Sequence, residues 1–146
     1  IITQLAAHDR NAGPATIRLG ATAPTRDFTF VADTVLGFLA AADTDAACGE
    51  VINLGTNFEI SVGETAQAIA AEMAVDIQIE TEDQRLRPDA SEVERLWCDN
   101  SKAAAMLGWQ PTHVGLEGFR RGLAATIDWF AAPANRVGYK AHLYNV

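Results

Sequence analysis

The sequence predicts a small α+β domain built from short strands. Segments with strand period are brief and alternate with segments of helical period in one chain. No glycine-rich turn joins a strand to a helix in the way a doubly wound sheet begins. The 146 residues, 49% of them hydrophobic, suffice for one domain with a buried core. Residues 1–132 are read as one lobe and residues 133–146 as a C-terminal tail.

The elements follow in order. Residues 1–9 read as the end of a helix, closed by Asn11-Ala12-Gly13-Pro14. Ile1 is not methionine and no capping residue precedes the apolar positions, so a cut through a longer chain is expected. Thr16-Ile17-Arg18-Leu19 alternates like a half-buried strand. Phe28 to Val31 is a short extended piece, after which Asp33 is placed to cap a helix from Thr34 to Ala42. Val35, Phe38, Leu39 and Ala42 fall on one face of that helix.

Val51-Ile52-Asn53-Leu54-Gly55 reads as a buried strand ending at glycine. Ser61-Val62-Gly63-Glu64 is a capping box, in which serine and glutamate each satisfy a free helix N–H. Ala66, Ile69, Ala70 and Met73 follow at helical spacing, and Ile77-Gln78-Ile79 is a further strand. From Glu80 to Glu94 the chain is charged and carries Pro88, which predicts a loop. Arg95 to Cys98 suits a short strand, and Ser101 to Leu107 a helix stopped by Gly108. Either Asp99 or Asn100 serves as its cap, with Lys102 on the exposed side. Leu116, Phe119, Leu123, Ile127 and Phe130 form the apolar stripe of a last helix ending at Ala131.

Composition narrows the function. A net charge of −8 with no basic stripe argues against a nucleic-acid partner. The apolar runs are too short to span a bilayer and lack a signal-peptide pattern, so a cytoplasmic location is expected. Cys48 and Cys98 lack metal-ligand spacing and read as free thiols. His8, His113 and His142 have no partner nearby in sequence, so neither a metal nor a catalytic role is assigned. Trp97, Trp109 and Trp129 are expected in or at the edge of the core.

Three stretches carry the candidate site residues. Pro24-Thr25-Arg26-Asp27-Phe28-Thr29-Phe30-Val31-Ala32-Asp33 offers a guanidinium, which stays charged and presents a fork of donors to phosphate. The same pair also fits a surface arginine beside a helix-capping aspartate. Asn53 at a strand end suits a ligand or the neighbouring loop backbone equally. Arg85-Leu86-Arg87-Pro88, Ser91-Glu92-Val93 and Asp99-Asn100-Ser101-Lys102, read without context, form a solvated charged loop.

In this order the stretches, closed by Leu107-Gly108-Trp109-Gln110-Pro111, resemble the NAD-dependent nucleotide-sugar epimerases and dehydratases of the extended short-chain dehydrogenase/reductase family. The wording is most similar to the 4,6-dehydratases of surface-polysaccharide and nonulosonic-acid pathways, and an epimerase parent is a close alternative. A non-catalytic binding or scaffold domain is the reading from another class. The resemblance implies an α/β parent, of which this chain is the substrate-binding lobe without the Rossmann dinucleotide-binding core. It implies that Arg26 reaches the diphosphate, Asn53 lies near the nucleotide, Arg87 contacts phosphate or ribose, and Glu92 approaches the base or ribose. Two residues sit extra between Pro88 and Glu92 relative to the family pattern, which bears on Glu92; Arg85 is a substitute for Arg87.

The family's glycine-rich dinucleotide motif and its Tyr-x-x-x-Lys are absent; Tyr139-Lys140 are adjacent and cannot replace the pair. The resemblance therefore implies no catalytic residue and no bound cofactor in this chain, and NAD in a full-length parent. The partners implied are a nucleotide-diphosphate sugar and a missing N-terminal Rossmann half. The isolated chain is expected to be inactive.

Overall fold

The computed structural model describes residues 1–86 and 92–139. Its elements are brief helices and strands, an α+β arrangement as the sequence predicts. The chain forms two compact units that interleave along the sequence. Unit 1 gathers Ile1–Pro24, Ser61–Glu94 and the chain from Leu123 onward; unit 2 gathers Thr25–Ile60 and Arg95–Gly122.

Unit 1 is built on two parallel strands. In β1, Ala15–Leu19, Ala15 and Ile17 are buried while Thr16 and Arg18 are exposed, so the alternation read from the sequence points a real face inward. It pairs with β4, Ile77–Thr81, with Ala15 opposite Ile77 and Leu19 opposite Thr81. Helix α1, Ile2–Ala6, is shorter than expected. After it Asp9 caps a separate 3-10 turn, Arg10–Ala12, by accepting from the Asn11 N–H. Gln4 of α1 reaches the backbone of β1, accepting from the Arg18 N–H at 2.9 Å and donating to its carbonyl at 3.2 Å.

Helix α3, Val62–Glu72, starts at the predicted capping box: the Ser61 hydroxyl accepts from the Glu64 N–H, and the Glu64 carboxylate accepts from the Ser61 N–H. Its buried residues are Thr65, Ala66, Ile69 and Ala70. Together with Leu5, Ala15, Ile17 and Leu123 these supply the apolar core of the unit. Each large aliphatic side chain so buried contributes about 1.5–3 kcal/mol relative to exposure.

Unit 2 carries a minimal parallel pair, β2 (Thr25–Arg26) with β5 (Arg95–Leu96). Glu59 ties the two strands, accepting from the Thr25 hydroxyl at 2.7 Å and taking the guanidinium fork of Arg95 at 2.7–3.0 Å. The two-residue strand β3, Ile60–Ser61, leads directly into α3. Helix α4, Ser101–Leu107, stops at Gly108, whose φ of 62° is the left-handed conformation that glycine adopts without penalty. At its start Asn100 holds the cap position while the Asp99 carboxylate accepts from the Ser101 N–H. Helix α5, Gly115–Ala131, runs one residue further back than its apolar stripe begins.

Helix α2, Val31–Ala42, corrects the sequence reading twice. It begins before Thr34, with Phe30 at the cap position, and Asp33 lies inside its first turn. The carboxylate of Asp33 is not free to cap, because Thr112 and His113 occupy it. The buried side of the helix holds Asp33 and Gly37, whereas Val35, Phe38 and Leu39 are 51%, 67% and 56% exposed. Gly37 is small for a reason: a Cβ there would meet the Leu54 methyls at 2.6 and 2.8 Å.

Residues 51–55 are likewise no buried strand. They carry no ladder pairing among the described residues, and Val51 is 82% exposed. The segment is held by side chains instead, with Leu54 against Gly37 and the Lys102 ammonium on the Val51 carbonyl at 2.9 Å. Trp109 is buried and donates to the Asp33 carbonyl, whereas Trp97 and Trp129 are about half exposed. His142 lies outside the described residues.

Candidate functional site

Unit 2 holds two of the residues that the sequence singles out. Arg26 ends β2, half-buried, and its guanidinium donates to the Thr25 carbonyl at 2.7 Å. Asn53 is exposed on the segment that follows α2. It borders an open cavity of about 530 Å³ lined also by Asp27, Thr34, Phe38, Ile52, Leu54, Leu96, Trp97 and Cys98. Pockets of this size suit small molecules. The lining mixes a carboxylate, an amide and a hydroxyl with aromatic and aliphatic surface.

Asp27 does not cap a helix. One carboxylate oxygen accepts from the N–H and hydroxyl of Thr56 at 2.9 and 2.6 Å; the other accepts from the N–H groups of Asn57 at 3.0 Å and Cys98 at 3.4 Å. The loop after Asn53 therefore folds around this side chain. Burial pushes the Cys98 thiol above its ordinary pKa, and the negative charges of Asp27 and Asp99 add to the effect. A thiol so placed is a poor nucleophile at neutral pH.

A second polar centre in the same unit was illegible from sequence. Asp33 is 1% exposed and accepts four hydrogen bonds: from Thr112 N–H and hydroxyl, 3.1 and 2.7 Å, and from His113 N–H and Nδ1, 3.0 and 2.9 Å. His113, which lacked a partner nearby in sequence, has one in space. Burial alone would raise the Asp33 pKa, but these hydrogen bonds outweigh it and hold the carboxyl below its usual value. With Trp109 donating to the Asp33 carbonyl, the cluster is a structural clamp between α2 and the turn before α5.

The remaining candidates fall in unit 1 or outside the described residues. Arg87 lies in the stretch 87–91, outside them. Glu92 is half-buried in unit 1. Arg85, the substitute for Arg87, pairs with Glu82 at the end of a short turn after β4. It borders a smaller cavity of about 230 Å³ with Gln4, His8, Thr16 and Arg18. No group of three or more metal-ligating side chains occurs among the described residues. No helix among them is long and apolar enough to cross a membrane.

A dinucleotide does not fit the described residues. Such a site needs a glycine-rich turn between a strand and a helix, so that backbone N–H groups face the pyrophosphate. The direct strand-to-helix step here, β3 into α3, offers Gly63 alone, and the Ser61 and Glu64 side chains already take up its capping groups.

Residues 1–121 match the family described as GDP-mannose 4,6 dehydratase. The chain belongs to the NAD-dependent nucleotide-sugar epimerase/dehydratase family. A UDP-glucose 4-epimerase from Mycolicibacterium smegmatis is 34% identical over 119 residues, 82% of this chain and 35% of that relative. Among solved structures, an epimerase from the methanogen Methanothermobacter thermautotrophicus superposes with a TM-score of 0.71 at 32% identity, covering 89% of this chain and 35% of the other. A UDP-glucuronic acid 4-epimerase variant from Bacillus cereus, solved with UDP-4-deoxy-4-fluoro-glucuronic acid and NAD, gives 0.68 at 30% identity, covering 89% and 38%. The chain thus spans little more than a third of the length of these family members.

Proposed function

We propose that this chain is the nucleotide-sugar-binding portion of an NAD-dependent sugar-modifying enzyme. Arg26 holds a phosphate of the ligand and Asn53 lies beside the nucleotide, with Arg87 and Glu92 as further contacts and Arg85 as the alternative to Arg87. The observation that carries the reading is the arrangement in unit 2 of a chain of this family. There Arg26 closes a short strand, and the neighbouring Asp27 shares the border of an open cavity with Asn53. The bound NAD and the UDP-sugar analogue of the Bacillus cereus epimerase support the same ligand class and cofactor for the whole enzyme. Because the described residues offer no glycine-rich strand-to-helix turn, the cofactor is assigned to the part of the family fold that this chain does not span. The outward-facing Val35, Phe38 and Leu39 of α2 are the natural seat for that part, since apolar side chains in a row gain from being covered.

The UDP-glucose and UDP-glucuronic acid 4-epimerases among the relatives favour epimerisation at C4. The GDP-mannose 4,6 dehydratase match favours the dehydratase reading. Nuclear magnetic resonance of the full-length enzyme's product separates them: a C4 epimer of the substrate supports the first, a 4-keto-6-deoxy sugar the second.

For the chain itself, titration with UDP, GDP and dTDP while following amide shifts tests the site. Two charged hydrogen bonds of about 1.5–3 kcal/mol each, less the entropy of association, leave a dissociation constant on the order of millimolar. Salt weakens it by screening the phosphate contacts, and Arg26→Ala removes it. Binding untouched by Arg26→Ala, or shifts confined to residues remote from Arg26 and Asn53, would show that the ligand site has been misplaced.

A further inference from the structure

We propose that Asp27 is a positioning residue that fixes the loop carrying Asn53 by holding Asn57 in a left-handed conformation; the functional part of this inference rests on Asn53 contacting the ligand.

Residues 51–55 have no ladder pairing among the described residues, so backbone hydrogen bonds of a sheet do not set where Asn53 stands. Side-chain ties do, the Lys102 ammonium on the Val51 carbonyl and three nearer to Asn53. Leu54 is seated on Gly37. The Asn100 amide donates to the Gly55 carbonyl at 2.8 Å. Asp27 takes the next two N–H groups, Thr56 at 2.9 Å and Asn57 at 3.0 Å. Asn57 has a φ of 59°, which asparagine tolerates better than most residues but which still needs support. Successive N–H groups converging on one anion, with a left-handed residue among them, form an anion nest. Here the anion is a side chain of the protein itself.

The carboxylate has no capacity left for a ligand. An ionised carboxylate offers about four acceptor sites, and Asp27 fills them with Thr56 N–H, Thr56 hydroxyl, Asn57 N–H and Cys98 N–H. Although Asp27 borders the cavity, its part is to orient rather than to bind. Gly55 is fitted just as closely: a Cβ there would meet the Cys98 sulfur at 2.5 Å and the Asp27 carboxylate at 3.2 Å. Loop, carboxylate and Cys98 are one packed unit, adjacent in sequence to Arg26.

Hydrogen exchange of the Thr56 and Asn57 amides in the free chain tests the device without any ligand. Asp27→Asn offers a donor where the Asn57 and Cys98 N–H groups need an acceptor, and protection of Asn57 is expected to fall at least about tenfold, the loss of one charged hydrogen bond. Asn57→Gly in that background supplies the left-handed conformation at no steric cost, and is expected to restore most of the protection at Thr56 together with the Asn53 side-chain amide shifts. With UDP as probe, Asp27→Asn weakens binding about tenfold, in step with the lost hydrogen bond, and Asn57→Gly recovers it, which a general loss of stability would not allow. If Asp27→Asn does not fold, Thr56→Val is read instead: it deletes the hydroxyl's bond to Asp27 and its contacts with the Phe58 backbone while keeping the Thr56 N–H on the carboxylate, and partial loss of protection at Asn57 is expected. Unchanged exchange in either folded variant, or no recovery on adding Asn57→Gly, overturns the inference. A wild-type chain that ignores UDP counts against the proposed ligand, while the exchange data still decide the role of Asp27.

Discussion

Removing the carboxylate of Asp33 is expected to be among the most damaging single changes to unit 2. In Asp33→Ala, two backbone N–H groups, a hydroxyl and an imidazole lose their common acceptor. A buried donor stripped of its partner costs about 1–3 kcal/mol. Thr112 is exposed and can recruit water for its own groups, which reduces the sum. The expected loss is about 3–5 kcal/mol, the range for breaking a buried charged network. At about 2–4 °C per kcal/mol for a chain of this size, the melting temperature falls by roughly 10 °C. Urea unfolding followed by circular dichroism gives the total, and the indole N–H signal of Trp109 reports locally, since that group donates to the Asp33 carbonyl. A cost below about 1 kcal/mol, the level of an ordinary surface substitution, would refute the clamp. The pH dependence has a fixed sign. Because the folded-state pKa of Asp33 is held below its ordinary value, the stabilisation is fully present above the unfolded-state pKa of about 3.9. It is lost as pH falls through the lower folded-state value, because the unfolded chain takes up the proton first. Asp33→Asn should flatten the stability profile in that acidic window.

Two further expectations are simpler. Ser61→Ala removes one half of the capping box of α3 and should cost about 1 kcal/mol, read as a shift in urea midpoint with an unchanged slope; a shift indistinguishable from zero would mean that the box is not formed in solution. With a thiol reagent at pH 8, Cys48, which is exposed, should react promptly and Cys98 slowly, because burial and the charges of Asp27 and Asp99 disfavour its thiolate; equal rates would contradict the packing around Gly55.

Local features were legible in the sequence because they depend on neighbours a few positions apart. The alternation of β1, the capping box at Ser61–Glu64 and the stop at Gly108 all emerge where the pattern places them. The failures share a cause: a partner distant in sequence took over a group that had a local use. Asp33 reads as a cap until Thr112 and His113 claim it, and Asp27 until Thr56, Asn57 and Cys98 do. The stripe of α2 misled in a different way. Helical period shows which residues share a face, but it does not show whether this chain covers that face, and Val35, Phe38 and Leu39 remain outside. Of the candidate site, Arg26 and Asn53 stand out by residue type, whereas the device that supports Asn53 needs the left-handed backbone at Asn57, which asparagine permits but does not dictate.

The interleaving of the two units bears on how the protein is made. Ala15 finds Ile77, and Thr25 finds Arg95, only after long intervening stretches have been synthesised. Pairings between such distant positions form slowly, since the closure of a large loop precedes any reward. On the ribosome, where chains emerge at about 5–20 residues per second, unit 1 is the first to begin and the last to be complete, because Leu123 of its core arrives after every residue of unit 2. No single cut yields either unit whole. Truncation series, the usual way to assign a function to half of a protein, would here leave both halves without a core, and point substitutions are the means by which each unit can be questioned alone.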